Sequence, residues 1–139
     1  MLKMIKMVSL YFLAATVCDF TIGVPPHLLL SNRSFHHVSV TAYTNIPKCT
    51  DSDYNVTSSC LRIKPKDYGR LIALSRDLAK SYEFGDRFDL WSNGKLYTVS
   101  YQDTMPKKHR RKVDLLLRSV KSCKEFGKNP GLLIPKDKT

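Results

Sequence analysis

No stretch of this chain is long and apolar enough to cross a bilayer as a helix. Spanning the roughly 30 Å hydrocarbon core takes about 20 residues. The longest low-charge run, Met7–Val17 (MVSLYFLAATV), has eleven. Glycine and proline have no excess, at six and seven of 139 residues, which excludes collagen-like and low-complexity architecture. Cysteines number four, with no second close pair and no ligand-spaced histidines. His36 and His37 are adjacent, so on a strand they point to opposite faces. Neither a metal site nor a cofactor is therefore expected. Acidic residues are the minority charge: 12 Asp and Glu face 23 Lys and Arg, leaving a net charge of +11.

Such a charge calls for a polyanionic partner, whether nucleic acid, an acidic membrane face or an anionic wall polymer. Zinc-finger spacing, an RNP-like motif and a helix-turn-helix pattern are all missing, so no nucleic-acid partner is expected. The 42% of hydrophobic residues fits one small globular domain and excludes wholesale disorder.

Lys3 and Lys6 precede the Met7–Val17 run, the charge-then-apolar order of a secretory signal peptide. Residues 1–18 are read as that signal, which predicts an exported monomer in the periplasm or cell envelope. Cys18, after Ala15-Thr16-Val17, offers a lipid anchor, although Val17 is larger than the usual small residue there. Membrane contact is expected only through these two features. In an oxidising compartment Cys49 and Cys60 are the natural disulfide pair. They close the polar loop TDSDYNVTSS, with a stabilisation of about 3 kcal/mol. Cys123, near Val120 and Phe126, reads as a buried small hydrophobe rather than a nucleophile.

Residues 19–36 form a proline-interrupted extension. From His37 the pattern alternates: Val38, Val40 and Ala42 share one face, and Ser39, Thr41 and Tyr43 the other. Leu61-Arg62-Ile63 alternates briefly before Pro65, and Arg70–Ser75 reads as a buried strand. Asp77–Ser81 is long enough for one helical turn. Arg87–Trp91 and Lys95–Tyr101 flank Asn93-Gly94, a pair suited to the positive φ angles of a tight hairpin turn. Val113–Leu117 follows as a strand. Ser119–Phe126 reads as a helix capped by Ser119 and ended by Gly127 in the left-handed conformation. Gly131–Ile134 closes the set. Short strands with one late helix over 37–135 suggest a small closed all-β barrel, with 136–139 as a basic tail.

Two aspartates stand out by position. Asp103 ends one strand. Asp114 interrupts the apolar run Val113-Asp114-Leu115-Leu116-Leu117 and shares a face with Leu116. A buried strand Asp needs a wet face or partners for its carboxylate. The basic loop Lys107–Lys112 (KKHRRK) joins the two and allows both near one cleft. Cations lower a carboxylate pKa, whereas burial or a second carboxylate raises it, the asymmetry that glycosidic-bond chemistry uses. The bland reading makes Asp103 a turn residue and Asp114 a salt-bridged strand residue.

Five segments occur in the order of a known family: Val40-Thr41-Ala42-Tyr43-Thr44, Leu71–Leu78, Phe84-Gly85-Asp86-Arg87-Phe88, Tyr101-Gln102-Asp103-Thr104-Met105 and Arg111–Leu115. In this the chain resembles the 3D (Asp-Asp-Asp) domain of the membrane-bound lytic murein transglycosylase A and of small secreted wall proteins. The resemblance implies a six-stranded double-psi β-barrel with one or two short helices, related to the rare-lipoprotein-A and expansin barrels. It further implies peptidoglycan glycan strands as the partner and cleavage of the MurNAc–GlcNAc bond, with wall binding alone as the alternative. The family's second and third aspartates fall on Asp103 (acid/base) and Asp114 (supporting). Its first falls on Ser75, with Asp77 two positions on, and its Gly after Asp-Thr is Met105. The Thr-Ala-Ser-Gly segment corresponds to Val56-Thr57-Ser58-Ser59. Tyr43, Thr57 and Thr104 are the implied substrate contacts.

Overall fold

The structure is a computed structural model, and residues 34–46 and 54–137 are described. The signal-peptide reading, Cys18, most of the extension and Cys49 lie outside them. Six strands run β1 (His36–Tyr43), β2 (Leu71–Leu74), β3 (Arg87–Ser92), β4 (Lys95–Thr104), β5 (Lys112–Leu116) and β6 (Asn129–Pro135). They close into a barrel in the order β1-β5-β2-β4-β3-β6. The β1–β5 and β2–β4 pairs are parallel and the other four antiparallel, so the barrel is mixed. Two short helices, α1 (Arg76–Ala79) and α2 (Val120–Phe126), complete the all-β fold. Closure removes the open edges that would otherwise invite pairing with other chains.

Period-two alternation fills the interior. Val38 and Val40 of β1, Ile72 and Leu74 of β2, and Phe88 and Leu90 of β3 point inward. Val99 and Tyr101 of β4, Val113 and Leu115 of β5 and Leu133 of β6 meet them. Leu71 and Ala73 face the other way and are buried as well, so β2 is covered on both sides. That explains why it reads as a continuous apolar run.

Local chemistry sets the connections. Asn93 at φ 52° and Gly94 at φ 69° make the tight β3–β4 turn. The Ser119 side chain accepts from the Ser122 backbone N–H at 3.1 Å and caps α2. Gly127 ends α2 at φ 65° but with ψ −145°, an extended exit toward β6 rather than the expected left-handed helical one. Gly131 is required by close approach: a Cβ there would lie 2.6 Å from Val40 Cγ2 and 2.9 Å from Trp91 O.

Several boundaries differ from the sequence reading. Leu61–Ile63 is not a strand; only a single bridge, Val56–Arg62, forms. The chain reverses at Cys60 (φ 65°), whose N–H donates to Thr57 O at 2.9 Å, and a 3-10 turn starts at Pro65. Too few residues remain between for a ladder. β1 starts one residue earlier than expected, at His36. Cys123 is half-buried rather than buried. Lys136, assigned to the tail, still belongs to the barrel, pairing with Asp89 at 2.9 Å.

Candidate functional site

Asp114 pairs across β5 with Thr41 of β1 on one side and with Ala73 of β2 on the other. Ala73 in turn pairs with Asp103 of β4. Registered neighbours share a face, so Thr41, Asp114, Ala73 and Asp103 form one row on the outer side of the barrel. Strands lie about 4.8 Å apart, which separates the two aspartate backbones by about 10 Å. Ala73 contributes only a methyl between them.

A bulge puts Asp103 in that row. Ile72 pairs with Tyr101, but Ala73 pairs with Asp103, leaving Gln102 as an extra residue. In an unbroken strand Asp103 would share the face of Val99 and Tyr101, inside the core. The inserted residue reverses the alternation and turns the carboxylate outward.

The loop of residues 54–63 is tied to the end of β4. Asp103 Oδ1 accepts from the Ser58 N–H (3.2 Å), the Ser58 hydroxyl and the Thr104 N–H (2.9 Å). Ser59 donates from its backbone to Gln102 O at 3.1 Å and from its hydroxyl to Gln102 Oε1 at 2.6 Å. Asp114 Oδ1 accepts from the Thr41 hydroxyl, with Lys112 Nζ 3.7 Å away. Burial pushes the Asp114 carboxyl above the usual carboxylate range; Lys112 and His109 pull it down, and Asp103 adds to the rise.

Tyr43 lies two positions beyond Thr41, on the same face. Its hydroxyl oxygen is buried without a hydrogen-bond partner among the described residues. Burial raises its pKa, and the charges of Asp103 and then Asp114 raise it further, so the phenol remains an O–H donor. Thr104 is half-buried and its hydroxyl meets Tyr101 OH at 2.8 Å. Thr57 is buried; its hydroxyl bonds Ser59 Oγ at 2.8 Å and accepts from Leu61 N–H at 3.2 Å. Thr57 thus shapes the loop, while Tyr43 faces the aspartates. Cys60 is an exposed, free cysteine whose expected partner, Cys49, lies outside the described residues.

Thr41, Ser58, Lys112 and His109 surround the carboxylates and were not singled out from the sequence as site residues. Thr41 was detectable by its parity with Tyr43. Ser58 approaches from 45 positions away, and no local signal reveals that. Ser75 and Asp77 serve elsewhere. Ser75, fully buried, accepts from the Lys112 N–H at 3.0 Å, and Asp77 accepts from the Arg111 N–H at 2.9 Å. Burial works against the ionised Asp77, but bonds from the Ser75 hydroxyl and from backbone N–H groups outweigh it and hold its pKa down. The two anchor the end of the basic loop where Arg111 adopts φ 46°. No cluster of metal-ligating side chains occurs among the described residues.

No family model and no curated protein matches the sequence. The fold does match solved structures. The apo expansin of Clavibacter michiganensis superposes with a TM-score of 0.55 at 15% identity, over 76% of this chain and 52% of the expansin. An Asp-to-Asn variant of that expansin, in complex with cellohexaose, gives 0.53 at 13% identity over the same shares. The barrel has the expansin-like double-psi architecture. The chain spans about half the length of these expansins.

Proposed function

We propose that the outer face of β1, β5, β2 and β4 binds a glycan strand of peptidoglycan and cleaves its MurNAc–GlcNAc bond by acid/base catalysis. The observation that carries this is the row Asp114–Ala73–Asp103, two half-buried carboxylates on one outer face of the barrel with different surroundings. The expansin solved with cellohexaose, on the same fold, supports a polysaccharide as the class of ligand. The basic charge suits an anionic wall, and the leading charged-then-apolar segment supports export to it.

The surroundings favour roles opposite to those implied by the family resemblance. Burial raises the Asp114 pKa, and Asp114 Oδ1 has the Thr41 hydroxyl and Lys112 Nζ as partners where Asp103 Oδ1 serves three donors; on that ground we assign Asp114 the proton donor's role. Asp103, held by Ser58 and Thr104, is the second carboxyl group of the row and lines the same face. Asp114 protonates the bridging oxygen as the bond from the muramic C1 breaks. The muramic 6-hydroxyl attacks C1 and returns its proton to the Asp114 carboxylate, closing an anhydro ring without water. Tyr43, whose buried hydroxyl lies behind the sugar-facing surface, acts on the carboxylates rather than on the sugar.

A second reading, wall binding without cleavage, has its own support. Asp103 Oδ1 already serves three donors and Asp114 serves Thr41, so both side chains contribute to holding the fold. Digesting purified sacculi and weighing the soluble products separates the two. Anhydro-muropeptides mean lytic cleavage, products one water heavier mean hydrolysis, and bound protein without soluble product means binding alone.

A further inference from the structure

We infer that the barrel carries a second site, a cationic cleft that takes an anionic polysaccharide. A cleft of about 720 Å³ is lined by Arg70, Arg87, Lys95 and Arg118, with the hydroxyls of Thr98 and Ser122 among them. Its lining includes no Asp or Glu and shares no residue with the Asp103–Asp114 face. Thr98 and Asp103 are five residues apart on β4, about 15 Å along a strand.

The four cations come from four places in the chain: just before β2, the start of β3, the start of β4 and just after β5. All four are exposed. Their mutual repulsion costs folding free energy, and a bound polyanion converts that cost into attraction. Three of them are arginines, whose planar forks match carboxylate and phosphate oxygens two at a time. A single small anion would engage one or two of these groups. Cations spread around a cleft of this size fit charges repeated along a polymer.

The lining also discriminates between polymers. Single-stranded nucleic acid binds on free aromatic faces. Of the two aromatics in the lining, Tyr97 has Lys95 Nζ 5.1 Å from its ring centroid and Phe126 against it edge-on, which leaves Tyr68 alone where a single strand would stack successive bases. The Thr98 hydroxyl already donates to Asp89 Oδ1 at 3.1 Å and the Ser122 hydroxyl bonds Ser119 Oγ at 2.9 Å, so the cations carry the recognition. The choice of a glycan rests on the proposed function above, whereas the anion site itself does not.

The test is titration of the protein with polygalacturonate (carboxylates), a phosphomannan (phosphodiesters), neutral cellohexaose and a single-stranded RNA. Expected is binding of at least one anionic polymer, and which one identifies the charged group. Affinity should fall about tenfold between about 50 and about 300 mM NaCl as the Debye length shrinks. Arg70→Ala/Arg118→Ala, checked as folded by circular dichroism, should lose about tenfold or more. Lys107→Ala/Lys108→Ala in the basic loop should keep parental affinity. The readout is binding alone and needs no bond cleavage, so a failure of the cleavage reading leaves the cleft standing. Parental affinity in the Arg70/Arg118 variant, an equal loss in the loop variant, or tighter binding of RNA than of either anionic polymer would overturn the inference.

Discussion

Asp103 and Asp114 stand in one row across the barrel wall with a single strand, β2, between them, although eleven positions separate them in the chain. Their strands are not neighbours, and Ala73 is the residue in register with both. The carboxylates therefore share a face by topology and not by local sequence. What differs is their company: Asp114 is enclosed by Thr41 and Lys112, and Asp103 by Ser58 and Thr104.

The Asp114 environment predicts a pH dependence with a definite sign. Its folded pKa is raised from 3.8, so the folded state holds the proton more tightly than the unfolded chain does. The stabilisation is complete below the unfolded pKa and is lost as pH rises through the folded one. Urea unfolding of parent and Asp114→Asn should therefore diverge from about pH 4 upward, the parent losing stability relative to the variant. Parallel curves across that range would contradict the assignment.

Ser58→Ala removes one donor to Asp103 and should loosen the 54–63 loop from β4. Stability should fall by about 1 kcal/mol, since the Ser58 N–H still donates. Amide exchange should accelerate at Ser59, whose N–H bonds Gln102 O, but not at Leu90 in the core. Unchanged exchange at Ser59 would mean that the Ser58 hydroxyl does not secure the loop.

Gly131→Ala tests the closure of β6 against β1 and β3. The new methyl would meet Val40 Cγ2 at 2.6 Å and the Trp91 carbonyl, which as backbone yields little. A loss of about 2 kcal/mol is expected in denaturant unfolding. A neutral result would show more room at this seam than the register allows.

The Cys49–Cys60 pairing calls for a thiol count on the unreduced protein. Bonding predicts that neither is alkylated until reductant is added, with a stabilisation of about 3 kcal/mol over the reduced form. Alkylation of both under native conditions would exclude the bond.

Much of the barrel was legible because its signals are local. Asn93-Gly94 announces its turn, β1 alternates, and Ser119 and Gly127 bracket α2. The site was legible only in part. Asp103 and Asp114 attracted notice because a carboxylate beside apolar strand residues is costly, and the family resemblance placed them together. The Gln102 bulge leaves no trace in the residue pattern, since parity alone assigns Asp103 to the core side. Nor does any local feature tell that Ser58 would cross to β4 or that Leu61–Ile63 would form just one bridge. Those contacts depend on which strands pair, and the parallel β2–β4 and β1–β5 pairings are long-range choices.

If Asp114 delivers the proton to the glycosidic oxygen, taking that proton away stops cleavage. The most direct test is the rate of soluble anhydro-muropeptide release from sacculi by folded Asp114→Asn. An amide preserves the shape of the side chain but has no proton to give. Release should fall to background level with sacculus binding retained. Release at the parental rate would contradict it.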